Sequence, residues 1–241
     1  MSVYLISDLH LCGERPQTIA LFSQFLRDYQ DASQLYILGD LFEAWIGDDY
    51  HDPALQDVIR QLKQFSAITP SYFIHGNRDF LIAAGFARDS GCHLLPETEL
   101  IKFGNEPILI MHGDTLCSDD VEYQKFRQQV RSQAWMDQVL AMSIEERLQL
   151  ARRYRLDSSS SKAMKSEDIM DVNQQTVEDT MRHFGVHSLI HGHTHRPGRH
   201  DFMLDQQPAK RYVLGDWSDH AIIARLDQGR EPELLTIQLR Q

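Results

Sequence analysis

The sequence predicts an α/β protein carrying a helical insertion, and three features of the 241-residue chain lead there. Short apolar runs recur at residues 3–6, 35–38, 72–74, 108–111 and 188–190, and each stops at a polar loop, as buried strands do. Segments with apolar residues at helical spacing separate the first of these runs. Residues 119–170 depart from both patterns, being helical in composition and basic within an acidic chain.

Strand–helix alternation occupies residues 1–118. Over 18–29, Ile19, Phe22, Phe25, Leu26 and Tyr29 share one helical face. Residues 52–65 repeat the spacing with Leu55, Val58, Ile59 and Leu62, and Pro53 suits a first turn. Such repetition predicts a mainly parallel or mixed sheet with helices on both faces. After Pro197 the pattern changes to short β runs at 201–204, 211–214, 221–225 and 233–239, which predict antiparallel strands closing the sheet system. In the insertion, Phe126 and Val130, then Trp135 and Val139, then Leu148 stand at helical offsets, and Ser143 with Glu146 forms a capping box. Residues 121–165 hold nine Lys/Arg against five Asp/Glu. The expected organisation is a core of 1–118 and 171–241, with a cap of 119–170 over the strand ends.

Bulk properties narrow the function. A formal net charge of −11 argues against a general nucleic-acid binder, which needs a basic field. Three widely spaced cysteines without a CxxC pair predict a reduced, cytosolic setting. The first residues enter a strand pattern directly, so no signal peptide is expected, and no apolar stretch approaches the roughly 20 residues that span a bilayer.

The polar blocks at the strand ends are Asp8-Leu9-His10, Gly39-Asp40, Gly76-Asn77-Arg78-Asp79, His112-Gly113-Asp114 and Gly192-His193-Thr194-His195. Loops at strand ends carry the chemistry of α/β sheets, so the blocks are expected to converge. Asp8 and His10 are two apart, and in an extended segment both point to one side, where they can hold one ion. His193 and His195 repeat that spacing. Asp40 has two carboxylate oxygens and can bridge two cations, Asn77 offers an amide oxygen, and His112 completes the second ion. This oxygen and imidazole set without thiolate suits Mn²⁺, Fe²⁺ or Zn²⁺ in an open catalytic site better than a closed structural zinc. Two such ions stabilise an in-line phosphoryl displacement and lower the pKa of water to about 7. Asp79 and Asp114 read as acceptors that orient ligands. Asp48 and Asp49 read as loop residues, and His191 as the end of its strand.

These blocks resemble the calcineurin-like metallophosphoesterase superfamily, whose signature runs DxH…GD…GNxx…H…GHxH. The longer stretches SDLHLC, LYILGDLFEAWIGDD, FIHGNRDFL, IMHGDTLC, IMDVNQ and LIHGHTHRP are similar, over residues 1–217, to the branch that cleaves UDP-2,3-diacylglucosamine in the lipid A pathway of Gram-negative bacteria. The resemblance implies a four-layer α/β/β/α sandwich with a helical cap. It implies two Mn²⁺ per chain, one held by Asp8, His10 and His195, the other by Asn77, His112 and His193, with Asp40 between them. The implied reaction yields UMP and 2,3-diacylglucosamine 1-phosphate (lipid X) at the cytoplasmic side of the inner membrane, with the protein attached peripherally and no protein partner. Implied substrate contacts are Asn77, Arg78, Asp120, Ser158, Lys162, Lys165 and His193. Lys162 departs from the family pattern, where a smaller polar residue is usual.

Arg78 carries an independent chemical argument. The wider superfamily often has His after the metal-binding Asn, a proton donor for an alkoxide. A phosphate monoester has a second pKa near 6 and leaves without protonation. A guanidinium, bidentate toward phosphate, fits that leaving group better than a general acid. A two-chain acyl substrate further calls for an apolar cleft. Trp135, Met136, Val139, Leu140 and Met142 are candidates for its wall, and Arg131, Arg152, Arg153 and Arg155 for meeting anionic headgroups.

Overall fold

A computed structural model describes residues 2–104, 106–164 and 171–240, with the backbone alone for 103 and 157–164. Two mixed sheets carry the fold. The first is built from β1 (Ser2–Ile6), β2 (Gln34–Ile37), β3 (Ser71–Phe73), β4 (His93–Leu94), β10 (His220–Asp227) and β11 (Glu233–Gln238), in the order β11-β10-β1-β2-β3-β4. The second runs β5-β6-β7-β9-β8, from β5 (Thr98–Phe103), β6 (Glu106–Met111), β7 (Ser188–His191), β8 (Gly198–Leu204) and β9 (Gln207–Val213). β1, β2 and β3 are mutually parallel, as are β6, β7 and β9, so their C-terminal ends deliver the polar blocks together.

The central strands are apolar on both faces, and this decides the layering. Tyr4, Ile6, Leu35, Ile37 and Phe73 face outward against α1 (Pro16–Asp28), α2 (Gln56–Ser66) and α3 (Ala84–Ser90). Val3, Leu5, Leu38 and Ile74 face the other way, onto Ile108, Ile110, Ile190 and Tyr212 of the second sheet. The outer face of that sheet, with Leu109, Met111 and Leu189, is covered by Val177 and Met181 of α7 (Gln174–Phe184). The result is the α/β/β/α sandwich. Each buried Leu or Ile adds about 1.5–3 kcal/mol. The expectation of one sheet with helices on both faces is corrected: each sheet has helices on one face and the other sheet on its second, because the central strands bury apolar residues on both faces.

The helix expected from residue 52 starts later. Asp52 Oδ1 accepts from Ala54 N–H at 2.9 Å and Asp52 O from Leu55 N–H at 3.0 Å, so Asp52 and Pro53 form a turn before α2. The late β runs divide between the sheets. β10 pairs antiparallel with β1, while β9 joins β7 in parallel and only β8 is antiparallel to it.

Residues 121–164 form α4 (Val121–Val130), α5 (Gln133–Leu140) and α6 (Ile144–Met164). The capping box is present: Ser143 N–H donates to Glu146 Oε2 at 2.9 Å, and Glu146 N–H to Ser143 Oγ at 3.3 Å. Where the chain leaves and re-enters the sandwich, Asn173 Nδ2 donates to both carboxylate oxygens of Asp119 at 3.0 Å. No helix among the described residues is long and apolar enough to cross a membrane.

Candidate metal centre and its cleft

The loop after β1 and the loop after β2 run side by side. Asp8 N–H donates to Gly39 O at 3.1 Å, His10 N–H to Asp40 O at 2.9 Å and Leu11 N–H to Leu41 O at 2.9 Å. Asp79, fully buried, holds the neighbouring turn: it accepts from Leu41 N–H at 2.8 Å and Gly76 N–H at 2.9 Å. A Cβ on Gly76 would collide with the Asp40 amide and carboxylate, and one on Gly192 with the Asp8 carboxylate and the Ser7 hydroxyl. These glycines let the loops close on one another.

Seven predicted ligands are brought together. Nitrogen or oxygen atoms of Asp8, His10 and His195 lie within 4.8 Å of one another, and so do those of Asp8, Asp40 and His112. Asn77 Oδ1 lies 2.9 Å from both His112 Nε2 and His193 Nδ1. Asp40 faces a histidine on either side, Oδ2 being 3.9 Å from His10 Nδ1 and Oδ1 3.8 Å from His112 Nε2. Convergence does not come from extended segments, as the i, i+2 spacing suggested. Asp8, His10, Asp40, His193 and His195 all adopt left-handed backbone, with φ of 59°, 51°, 53°, 68° and 54°.

The donor set fits divalent cations. Asp8 is fully buried; Oδ2 accepts from His193 N–H at 2.8 Å, while Oδ1 has nothing nearer than His195 Nε2 at 3.5 Å. His112 Nδ1 donates to Leu38 O at 2.8 Å, which turns the Nε2 lone pair on the Asn77 carbonyl oxygen. Two acceptors at that separation are compatible with a cation between them. Burial works to raise Asp8, but the approach of His195 and the charges of His112, His195 and His10 carry it below the usual carboxylate range. Burial pushes Asp40 up to about 7, with Asp79 and Asp8 adding to it against His112. Burial takes His10 down to about 3 despite Asp8, so its imidazole is neutral and ready to ligate.

A cleft of about 530 Å³ joins this cluster to the insertion. His10, Asp40, Asn77, Arg78, His193 and His195 line it together with Trp45, Phe80, Phe126, Trp135, Val139 and Tyr154. Met136, Leu140 and Met142 do not line it, and Leu140 is exposed. Asp120 lines the cleft and also caps α4, accepting from Tyr123 N–H at 3.0 Å. Lys165 and the side chains of Ser158 and Lys162 lie outside the described residues.

Of the four arginines expected at headgroups, Arg131 and Arg155 are instead turned inward, as are Arg127 and Arg147. Arg127 Nε donates to Asp114 at 2.7 Å, and Arg131 donates to Gly76 O at 2.9 Å and Glu97 at 3.0 Å. Asp114 thus anchors the insertion through Arg127 and the Tyr123 hydroxyl, the latter at 2.9 Å, rather than orienting a ligand directly. Arg147 is buried against Asp49, the carbonyl of Ile46 and that of Met142. Arg155 donates to Glu43 at 2.7 Å. Arg152 and Arg153 are exposed. The i, i+4 spacing of Arg127 and Arg131 was the one signal for the first anchor. Arg78 pairs with neither Asp79 nor Asp48; its Nη1 is 3.5 Å from Glu43. Asp48 takes Trp45 Nε1 at 2.9 Å and Phe86 N–H at 3.0 Å, a loop role. His191 ends β7, fully buried, with Arg211 donating to its Nε2 at 3.1 Å.

The family model for calcineurin-like phosphoesterases matches residues 1–197, and the chain belongs to that family. It is 50% identical over 219 residues to a UDP-2,3-diacylglucosamine hydrolase of Chromohalobacter salexigens, covering 90% of this chain and 89% of that one. It is 48% identical over 219 residues to a protein of the same name from Escherichia coli, covering 90% and 91%. Among solved structures, vacuolar protein sorting 29 of Cryptosporidium parvum shares the fold, with a TM-score of 0.51 at 16% identity over 99% of this chain and 91% of the other.

Proposed function

We propose that this chain is a metal-dependent hydrolase that cleaves the pyrophosphate bond of UDP-2,3-diacylglucosamine, releasing UMP and 2,3-diacylglucosamine 1-phosphate in the lipid A pathway. The observation that carries it is the single cleft lined by both the Asp/His/Asn cluster and aromatic residues of the insertion, which suits a substrate with a pyrophosphate at one end and acyl chains at the other. Relatives of that name at about half identity along nearly the whole chain support it.

In this reading Asp8, His10 and His195 hold one cation, Asn77, His112 and His193 a second, and Asp40 lies between them. Mn²⁺ is the expected metal, and Fe²⁺ or Zn²⁺ would satisfy the same donors. Such a pair supplies charge stabilisation at the phosphoryl oxygens and a water acidic enough to be a nucleophile at neutral pH. The chain's own groups do the rest. Asp79 fixes the Gly39-Asp40 and Gly76-Asn77 turns through their amides, and Leu38 O fixes the His112 tautomer. Arg78 presents a guanidinium to the departing phosphate, which needs no proton. Asp120, Ser158, Lys162 and Lys165 are proposed to contact the sugar and phosphate. Residues 119–170 act as the cap, on a core of 1–118 and 171–241.

Attachment to the cytoplasmic side of the inner membrane is part of the proposal. The insertion exposes Val121, Leu140 and Leu156 as well as Arg152 and Arg153, a mixture that suits an anionic lipid surface. The test is turnover with Mn²⁺ of UDP-2,3-diacylglucosamine, of a UDP-glucosamine derivative without acyl chains, and of bis-(p-nitrophenyl) phosphate. A strong preference for the diacyl nucleotide is expected, and equal rates on all three would sink the assignment.

A further inference from the structure

Glu43 lines the cleft beside the cluster and has no task in the two-cation reading. Its backbone sits at a junction of loops. Glu43 N–H donates to Leu11 O at 3.1 Å, next to His10, and two residues on, Trp45 N–H donates to Arg78 O at 3.0 Å. Its two oxygens face different groups. Oε2 stands 3.6 Å from His10 Nδ1, while Oε1 accepts from Arg155 Nε at 2.7 Å and stands 3.5 Å from Arg78 Nη1. These groups come from the loop after β1, from α6 and from the loop after β3.

Two physical needs meet there. His10 turns Nε2 toward His195 Nε2 at 3.3 Å, which leaves Nδ1 buried on the far side of the ring without a hydrogen-bond partner. An imidazole ligand is oriented, and made a better donor, when its other N–H meets a carboxylate. Glu43 Oε2 is closer to Nδ1, at 3.6 Å, than Asp40 Oδ2, at 3.9 Å, and the other Asp40 oxygen accepts from Arg78 N–H at 2.8 Å. On its other oxygen, one carboxylate meets two guanidiniums. That holds both beside the cleft and leaves a positive charge for phosphate oxygens.

We infer that Glu43 is a positioning residue at the seam of core and insertion, orienting His10 through Nδ1–H with one oxygen and aiming Arg78 and Arg155 into the cleft with the other. The inference rests on the two-cation reading, and the test separates the two. Mn²⁺ is titrated by calorimetry into metal-stripped Glu43→Ala, Glu43→Gln, Arg155→Met and Asp8→Ala proteins, and kcat and KM are then measured with the diacyl nucleotide. Glu43→Ala should weaken Mn²⁺ binding about 10- to 100-fold. Glu43→Gln should restore most of that loss, because an amide oxygen still accepts from Nδ1–H, and Arg155→Met should bind Mn²⁺ like the parent. KM should rise in both Glu43 variants, since each loses the ion pairs. Glu43→Ala binding Mn²⁺ like the parent while Asp8→Ala loses it overturns the inference alone. Asp8→Ala binding Mn²⁺ undiminished overturns the two-cation reading beneath it.

Discussion

At Asp8, His10, Asp40, His193 and His195 the chain accepts left-handed backbone that residues with a Cβ rarely adopt, at a cost of order 1–3 kcal/mol each. Five such positions within one cluster mean that the surrounding hydrogen bonds over-determine the loops, and the amides that Asp79 gathers are the clearest part of that frame. The convergence of these side chains was legible from strand ends followed by Asp, Asn and His. The backbone that delivers them was not, because a two-residue spacing is equally compatible with extended chain and with consecutive tight turns. Glu43 had no signal at all: an acidic residue three past Asp40 is unremarkable until two loops and α6 are seen to meet on it. Replacing Asp8, Asp40, Asn77 or His112 by Ala should lower kcat by orders of magnitude and reduce bound Mn²⁺, measured by metal analysis of the purified protein. Near-normal turnover in any of them contradicts its role. Arg78→Ala should lower kcat by about 100- to 1,000-fold with metal content unchanged, the loss typical of one donor to a developing charge.

Among the elements, the insertion is tied to the sandwich by four arginines rather than hung from it. α4 is anchored by Arg127 and Arg131 to the loops bearing His112 and Asn77, and α6 by Arg147 to the loop after β2 and by Arg155 to Glu43. Arg147→Met should cost about 1–3 kcal/mol, because the carbonyls of Ile46 and Met142 lose their charged donor, while Asp49, more than half exposed, keeps its water. Urea unfolding and the rate of proteolytic nicking between α5 and α6 measure it, and an unchanged midpoint counts against the anchor. Strands with β-branched or leucine-rich cores announced themselves, as did α1 and the capping box of α6. α3, β4 and β5 did not: they are short or present exposed positions, and their place is set by tertiary packing. Pro53 misled because a proline serves a turn as well as a helix start. The arginines of the insertion misled in the other direction, since composition counts a buried guanidinium and a solvated one alike.

Taken whole, the molecule is an acidic body with a net charge of −11 whose basic insertion neutralises part of that charge internally and leaves Arg152 and Arg153 exposed. Binding of Mn²⁺ should raise thermal stability. At 100-fold excess over its dissociation constant each site adds about 2.7 kcal/mol, or about 5–10 °C in Tm for a chain of this size. A melting curve unmoved by Mn²⁺ or by chelator contradicts a site formed only in the native state. The origin of the donors adds a mechanical consequence. Asp8, His10, Asp40 and Asn77 hang from strands of the first sheet, and His112, His193 and His195 from strands of the second. An ion gripped by both groups would rivet two plies that are otherwise joined at that end by side-chain packing and by hydrogen bonds such as His112 Nδ1–H to Leu38 O and His193 N–H to Asp8. Stripping the metal should unzip the shell from its catalytic rim, so deuterium uptake should quicken first at the C-terminal ends of β1, β2, β6 and β7. The helices on the outer faces should keep their pace.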